Sequence, residues 1–123
     1  MMSSSANGLR FPKTRRLTHS SEYEKVKTQG QSLHGQLMVL GYLIVEDGGP
    51  FRAGIVTSKK VGDAAVRNRL RRRIRDIVRT DQQRVRRGLW LVLIARRSAA
   101  SASHAMLKDE WLRLAERASI LAP

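Results

Sequence analysis

The chain's chemical potential is concentrated in cations. Seven arginines fall between Arg67 and Arg79, within the segment KKVGDAAVRNRLRRRIRDIVRT at residues 59–80. A guanidinium is a planar fork that grips phosphate oxygens in pairs. The chemistry on offer is therefore recognition of a polyanion. Like charges this close repel along a helix, so something else must hold the segment in shape. Asn68, between Arg67 and Arg69, is uncharged, and its amide both donates and accepts hydrogen bonds. On composition alone it is equally a contact for a sugar hydroxyl or base edge, a partner for a neighbouring side chain, or an ordinary surface asparagine. Lys59 and Lys60 stand just before the segment. They either extend the same basic surface or sit in a solvated loop.

Little else in the sequence suggests catalysis. His19, His34 and His104 are scattered and lack metal-ligand spacing. The acidic residues form no cluster suited to a two-metal site. Glu46-Asp47 reads as a turn and Asp109-Glu110 as a solvated helix face. Gly48-Gly49-Pro50 reads as a turn rather than a phosphate-cradling loop. There is no cysteine, which excludes disulfides and thiolate metal sites. The sequence thus assigns no catalytic and no metal-ligating residue, and the expectation is a binding protein.

The charge balance names the kind of partner. Lys plus Arg is 24, Asp plus Glu is 10, and the net charge is +14 in 123 residues. Residues 59–87 hold 12 basic and 3 acidic side chains, so most of the excess is local. Solubility does not require such a cluster; a nucleic acid does. The start, MMSSSANG, lacks the apolar core of a signal peptide. No apolar run approaches the roughly 18 residues of a membrane span. The expectation is a cytoplasmic protein with one domain at 9–123, preceded by a disordered tail at 1–8.

The elements that must position the arginines follow from periodicity. At about 100° per residue, Val66, Leu70, Ile74, Ile77 and Val78 share one face of a helix over 64–79. Asn68, Arg71, Arg72, Arg75 and Arg79 lie opposite, with Arg67, Arg69 and Arg73 on the flanks. Asp63 is a good N-cap. Asp76 is the only acid from Val66 to Arg79, too little counter-charge for a salt-bridged surface helix. HSSEYEKVKTQG reads as a short helix, with Ser21 and Glu24 as a capping box and Gly30 as its stop. QLMVLGYLIV (36–45) and FRAGIVTS (51–58) read as strands joined by the EDGGP turn into an antiparallel hairpin. LWLVLIA (89–95) is apolar on both faces, as in an interior strand. A last helix, 103–118, buries Met106, Leu107, Trp111, Leu114 and Ala118. The order is α-β-β-α-β-α, with room for one further short strand. It predicts an α+β fold in which helices pack on a small sheet.

With these residues in place, TSKKVGDAAVRNRLRRRIRDIVR closely resembles the signature of the bacterial ribonuclease P protein family. Ser58, Lys59, Lys60, Val61 and Gly62 match its strand end. Arg67, Asn68 and Arg69 match its central motif, and Arg71, Arg72 and Arg75 the continuation. RFPKTRRLTHSSEYEKV is similar to the family's arm and first helix, and LWLVLIAR to its apolar strand. The resemblance implies a mixed sheet with a left-handed β-α-β crossover, a departure from the usual handedness. It implies a protein, monomeric in a 1:1 ribonucleoprotein, that binds a large catalytic RNA through Lys59, Lys60, Arg67, Asn68, Arg69, Arg71, Arg72, Arg75 and Arg79. It also implies a second partner, precursor tRNA, whose single-stranded 5′ leader lies in a cleft between the first helix and the sheet. Mg²⁺ is implied as the cofactor of hydrolysis, held mainly by RNA. Phe11, Tyr23 and Lys27 fall in the cleft by this resemblance. The family often has a second aromatic where Lys27 stands, and another at Gly41. A cleft relying more on charge than on stacking is therefore expected, with Tyr23 as its platform.

Three other readings share the charge. A ribosomal-type structural RNA-binding protein would lack the ordered Lys-Lys-x-Gly and Arg-Asn-Arg elements. DNA binding by a helix-turn-helix is disfavoured because a strand, not a helix, precedes residue 64. A membrane-surface helix needs the apolar face that the core already requires.

Overall fold

The computed structural model describes residues 16–45 and 49–122. Phe11, the tail at 1–8 and residues 46–48 of the EDGGP turn lie outside the described residues. The elements are α1 (Ser20–Gln29), β1 (Gln31–His34), β2 (Met38–Ile44), β3 (Arg52–Val56), α2 (Ala64–Thr80), β4 (Leu89–Ala95) and α3 (His104–Ala118). Single 3₁₀ turns at Lys59–Val61 and Arg97–Ser101 precede α2 and α3. This is the expected α+β order with one further short strand, β1.

The four strands form a mixed sheet in the order β1-β2-β4-β3. β2 and β3 are not a hairpin, contrary to the sequence reading. β4 lies between them, antiparallel to β2 and parallel to β3. The reason lies in β4 itself. Leu91 and Leu93 are fully buried on one face, and Val92 is buried on the other. A strand this apolar needs neighbours on both edges and layers on both sides. The hairpin is instead β1–β2, antiparallel, with Gly35 N–H returning to Met38 O at 2.8 Å.

Alternation along the strands divides the core in two. Met38, Leu40, Leu91 and Leu93 face α2 and α3 and pack with Leu70, Ile74, Ile77, Trp111 and Leu114. Leu17, Val26 and Val92 form a smaller cluster beneath α1, with Tyr23, Leu43, Val56 and Trp90 against it. The apolar face of α2 is as expected: Leu70, Ile74, Ile77 and Val78 are buried and Val66 packs beside them. Each such side chain stabilises by about 1.5–3 kcal/mol. A like-charge pair one turn apart costs only about 0.2–0.5 kcal/mol. Packing therefore outweighs the arginine repulsion.

Two details of the other helices differ from expectation. Met106 is 53% exposed, whereas Ala115 is buried and Ala118 half-buried. The buried stripe of α3 runs through Leu107, Trp111, Leu114 and Ala115, and Met106 lies a residue off it. Glu110 is not on a solvated face. It is 4% exposed, and its carboxylate accepts from the N–H groups of Gln36 (3.0 Å), Leu37 (2.7 Å) and Met38 (2.7 Å). Gly35 leaves the space for it, since a Cβ there would stand 2.5 Å from Glu110 Cδ. The i, i+4 spacing that marks the stripe cannot reveal this, because the partner is a turn more than 70 residues away.

Candidate nucleic-acid interface

α2 is built as the sequence predicts at its start. Asp63 caps it, accepting from Val66 N–H at 2.9 Å. Lys59 and Lys60 are exposed on the 3₁₀ turn that leads into the cap. Arg69 and Arg72 are exposed, while Arg67, Arg71, Arg75 and Arg79 are half-buried. The outer face is thus partly anchored rather than uniformly free. Arg71 donates to Asn68 Oδ1 at 2.9 Å and to Thr57 Oγ1 at 2.8 Å. Asn68 therefore acts as an acceptor that orients Arg71, and its amide N–H groups face out with the exposed residue. Arg79 pairs with Asp76.

Arg75 is the electrostatic centre. Burial pushes its guanidinium below the usual range, and Arg16 and Arg71 push it further, with Tyr23 opposing. An arginine stays charged at neutral pH regardless, so the crowding marks a place where an anion relieves repulsion. Arg16, Arg71 and Arg75 line one hollow with Tyr23. Arg16, Arg72, Arg75 and Arg79 line another beside it, with Asp76 as its one acid.

Tyr23 is fixed by its surroundings. Its hydroxyl donates to Leu17 O at 3.1 Å, and its ring lies on Gly54 of β3. A Cβ at Gly54 would stand 2.5 Å from Tyr23 Cζ. Burial, and then Glu22, push the phenol's pKa up, while Arg75 pulls it down.

The base of α1 is pinned by Arg52. Its guanidinium pairs with Glu22 at 2.6 Å and donates to Arg16 O at 2.9 Å. It also lies over the Trp90 ring at 5.6 Å, as does Lys25. Glu22 in turn accepts from the N–H groups of Thr18 (2.9 Å) and His19 (3.0 Å). Burial pushes the Glu22 carboxyl up, but those N–H groups and Arg52 outweigh it and bring it from 4.5 down to about 2. The helix accordingly begins at Ser20 with His19 as N-cap, two residues before the predicted Ser21–Glu24 box. Glu22 is preferred because it alone meets Arg52.

Between α1 and the sheet runs a cleft of about 420 Å³. Tyr23, Val26 and Lys27 form its helix wall, and Val39, Gly41, Val56, Val92 and Ile94 its floor. Lys27 and Glu24 stand exposed at the rim, and the floor is aliphatic. Cation density lies beyond the cleft, at the Tyr23 end. Among the described residues, no three His, Asp or Glu side chains gather as a metal site. No helix among them is long and apolar enough to cross a membrane.

The chain was compared with known proteins. The family model described as Ribonuclease P matches residues 11–119. A relative from Symbiobacterium thermophilum, named ribonuclease P protein component, is 37% identical over 109 residues, 89% of this chain and 95% of that protein. One of the same name from Gluconacetobacter diazotrophicus is 36% identical over 106 residues, 85% of this chain and 91% of its own. The Thermotoga maritima RNase P protein, solved with 1-(4-fluorophenyl)-2-thiourea, superposes with a TM-score of 0.75 at 25% identity, covering 83% of this chain and 98% of that one. The Staphylococcus aureus RNase P protein, at 21% identity, shares the fold with a TM-score of 0.81 over 87% of this chain and 97% of its own.

Proposed function

The chain belongs to the ribonuclease P protein family, and on that premise we propose that it serves as the protein subunit of a tRNA-processing ribonucleoprotein. It docks a large catalytic RNA through the arginine face of α2 together with Lys59 and Lys60. It holds the single-stranded 5′ leader of precursor tRNA in the cleft beneath α1, and the complex cleaves the leader from the tRNA. The RNA and substrate carry the Mg²⁺ and the bond-breaking step. The protein contributes binding, as one copy in a cytoplasmic 1:1 particle. Phe11 is retained as a candidate leader contact on the family resemblance alone.

The observation that carries this reading is continuity. Tyr23 lines the cleft and also the hollow formed by Arg16, Arg71 and Arg75. One strand of RNA leaving a phosphate-rich helix at α2 can enter the cleft without crossing an uncharged gap. The hydrophobic floor suits bases, and the arginine end suits backbone. Asn68 contributes by orienting Arg71 and by its exposed amide donors.

The test is reconstitution with a bacterial ribonuclease P RNA at low Mg²⁺. The protein rescues cleavage of precursor tRNA. Replacing Arg67, Arg69, Arg72 and Arg75 by glutamine weakens RNA binding. Each lost phosphate contact also lowers the slope of log affinity against log salt by about 0.7–0.9. An unchanged affinity and slope removes α2 as the docking surface. Failure of rescue beside a working control favours a structural RNA-binding protein with no part in cleavage.

A further inference from the structure

The cleft has two ends, and only one opens onto the arginine helix. It crosses the sheet from Val56 on β3, past Val92 and Ile94 on β4 and Val39 and Gly41 on β2, to Ser32 and His34 on β1. Three strand spacings make this roughly 14 Å. At the far end His34 also lines a second hollow, of about 570 Å³, on the other side of the β1 edge. Arg96, Arg113 and Arg117 converge there with Gln36 and Glu110.

The charge of this hollow is available to a ligand. Glu110 is its one acid, and that carboxylate is buried and engaged by the three backbone N–H groups of the β1–β2 turn. Arg117 makes no hydrogen bond or ion pair among the described residues. Arg113 pairs with Asp109 at 3.3 Å, but the two side chains are 67% and 70% exposed, so the pair is weak. The Arg96 guanidinium donates once, to Gly35 O at 3.0 Å, and retains its other N–H groups.

We infer that the hollow at the β1 edge binds phosphates of leader nucleotides that have already crossed the sheet, through Arg113, Arg117 and Arg96. The leader's footprint then runs from Tyr23, across the aliphatic floor, over His34 and round the edge of the sheet. The inference rests on the reading of the cleft as the leader site. Contact with the large RNA is the competing source of phosphate. The leader is favoured because His34 makes the hollow a continuation of the cleft, at the end away from α2.

The experiment uses the reconstituted holoenzyme and precursor tRNAs whose leaders are lengthened one nucleotide at a time. The variant is Arg113→Gln/Arg117→Gln, at two exposed positions of α3. Thermal unfolding confirms that it is folded. Wild-type affinity rises with a short leader and rises again once the leader passes His34. The variant keeps the first rise and loses the second, about a hundredfold for two charge-assisted contacts. Its affinity for the large RNA alone is unchanged. A variant that weakens binding to the large RNA, or to all leaders equally, overturns the inference in favour of the large RNA. A wild type that gains from a short leader but not from lengthening overturns it while leaving the cleft reading intact. A wild type indifferent to any leader overturns both.

Discussion

Gly54→Ala tests whether the position of Tyr23, and not merely its presence, matters. The new Cβ would stand 2.5 Å from Tyr23 Cζ, against an ordinary carbon contact of about 3.5–4.0 Å. The ring must therefore retreat by about 1 Å, which breaks the 3.1 Å bond from its hydroxyl to Leu17 O. Overpacking of this kind destabilises by about 1–3 kcal/mol. A base stacked on an aromatic gains about 1–3 kcal/mol. A displaced platform forfeits part of that, and the preference for leader-bearing precursor over mature tRNA falls roughly tenfold. Affinity for the large RNA alone stays as it was. The assay is equilibrium binding by the reconstituted holoenzyme, with urea unfolding of the free protein alongside. The double variant Tyr23→Ala/Gly54→Ala closes the cycle. With the ring already removed by Tyr23→Ala, adding Gly54→Ala costs no further stability, and the discrimination stays lost. A Gly54→Ala protein with wild-type stability and discrimination would refute the reasoning, as would a Gly54→Ala penalty that persists undiminished in the Tyr23→Ala background.

The other expectations concern stability. Glu22 is held at about 2 against an ordinary 4.5, so its contribution is full above 4.5 and is lost as pH falls towards 2. After solvent screening this is on the order of 1–2 kcal/mol. Thermal melts of wild type and Glu22→Gln should differ at neutral pH and converge near the acid end; a constant gap would contradict the assignment. Glu110→Gln replaces one carboxylate oxygen by an NH2, which leaves one or two of the three N–H groups without an acceptor and costs about 2 kcal/mol, read as a lower urea midpoint. An unshifted midpoint would mean that the β1–β2 turn does not depend on the carboxylate. Ser119 ends α3 in the left-handed region, at φ 58° and ψ 37°. Ser119→Gly relieves that strain and stabilises by about 0.5–1 kcal/mol, seen as a raised melting temperature; a lowered one would show that the side chain is needed.

Much of the site was legible because it is local. The N-cap at Asp63, the buried face from Leu70 to Val78 and the arginine array are all properties of one helix, and helical geometry fixes them from spacing alone. The assignment of Tyr23 and Lys27 to one wall is likewise a matter of one turn of α1, once the family resemblance had pointed to it. Glu22, Gly54 and Arg52 were missed. Each matters through a partner that is distant in sequence, and no period marks such a partner.

The sequence by itself determined the element types, the polyanionic partner class and the membership in this family, since charge, periodicity and motif are properties of the chain in order. Only the tertiary structure decided which strands are neighbours. The turn after β2 suggested a hairpin, but β4, apolar on both faces, takes the central place and separates β2 from β3. That choice brings Gly54 beneath Tyr23 and lays Val56, Val92, Ile94 and Val39 side by side as one floor. It also decided the roles of Asn68 and Glu110. Whether a polar side chain meets water or a buried partner depends on what the fold places against it, and burial without a partner is too costly to persist.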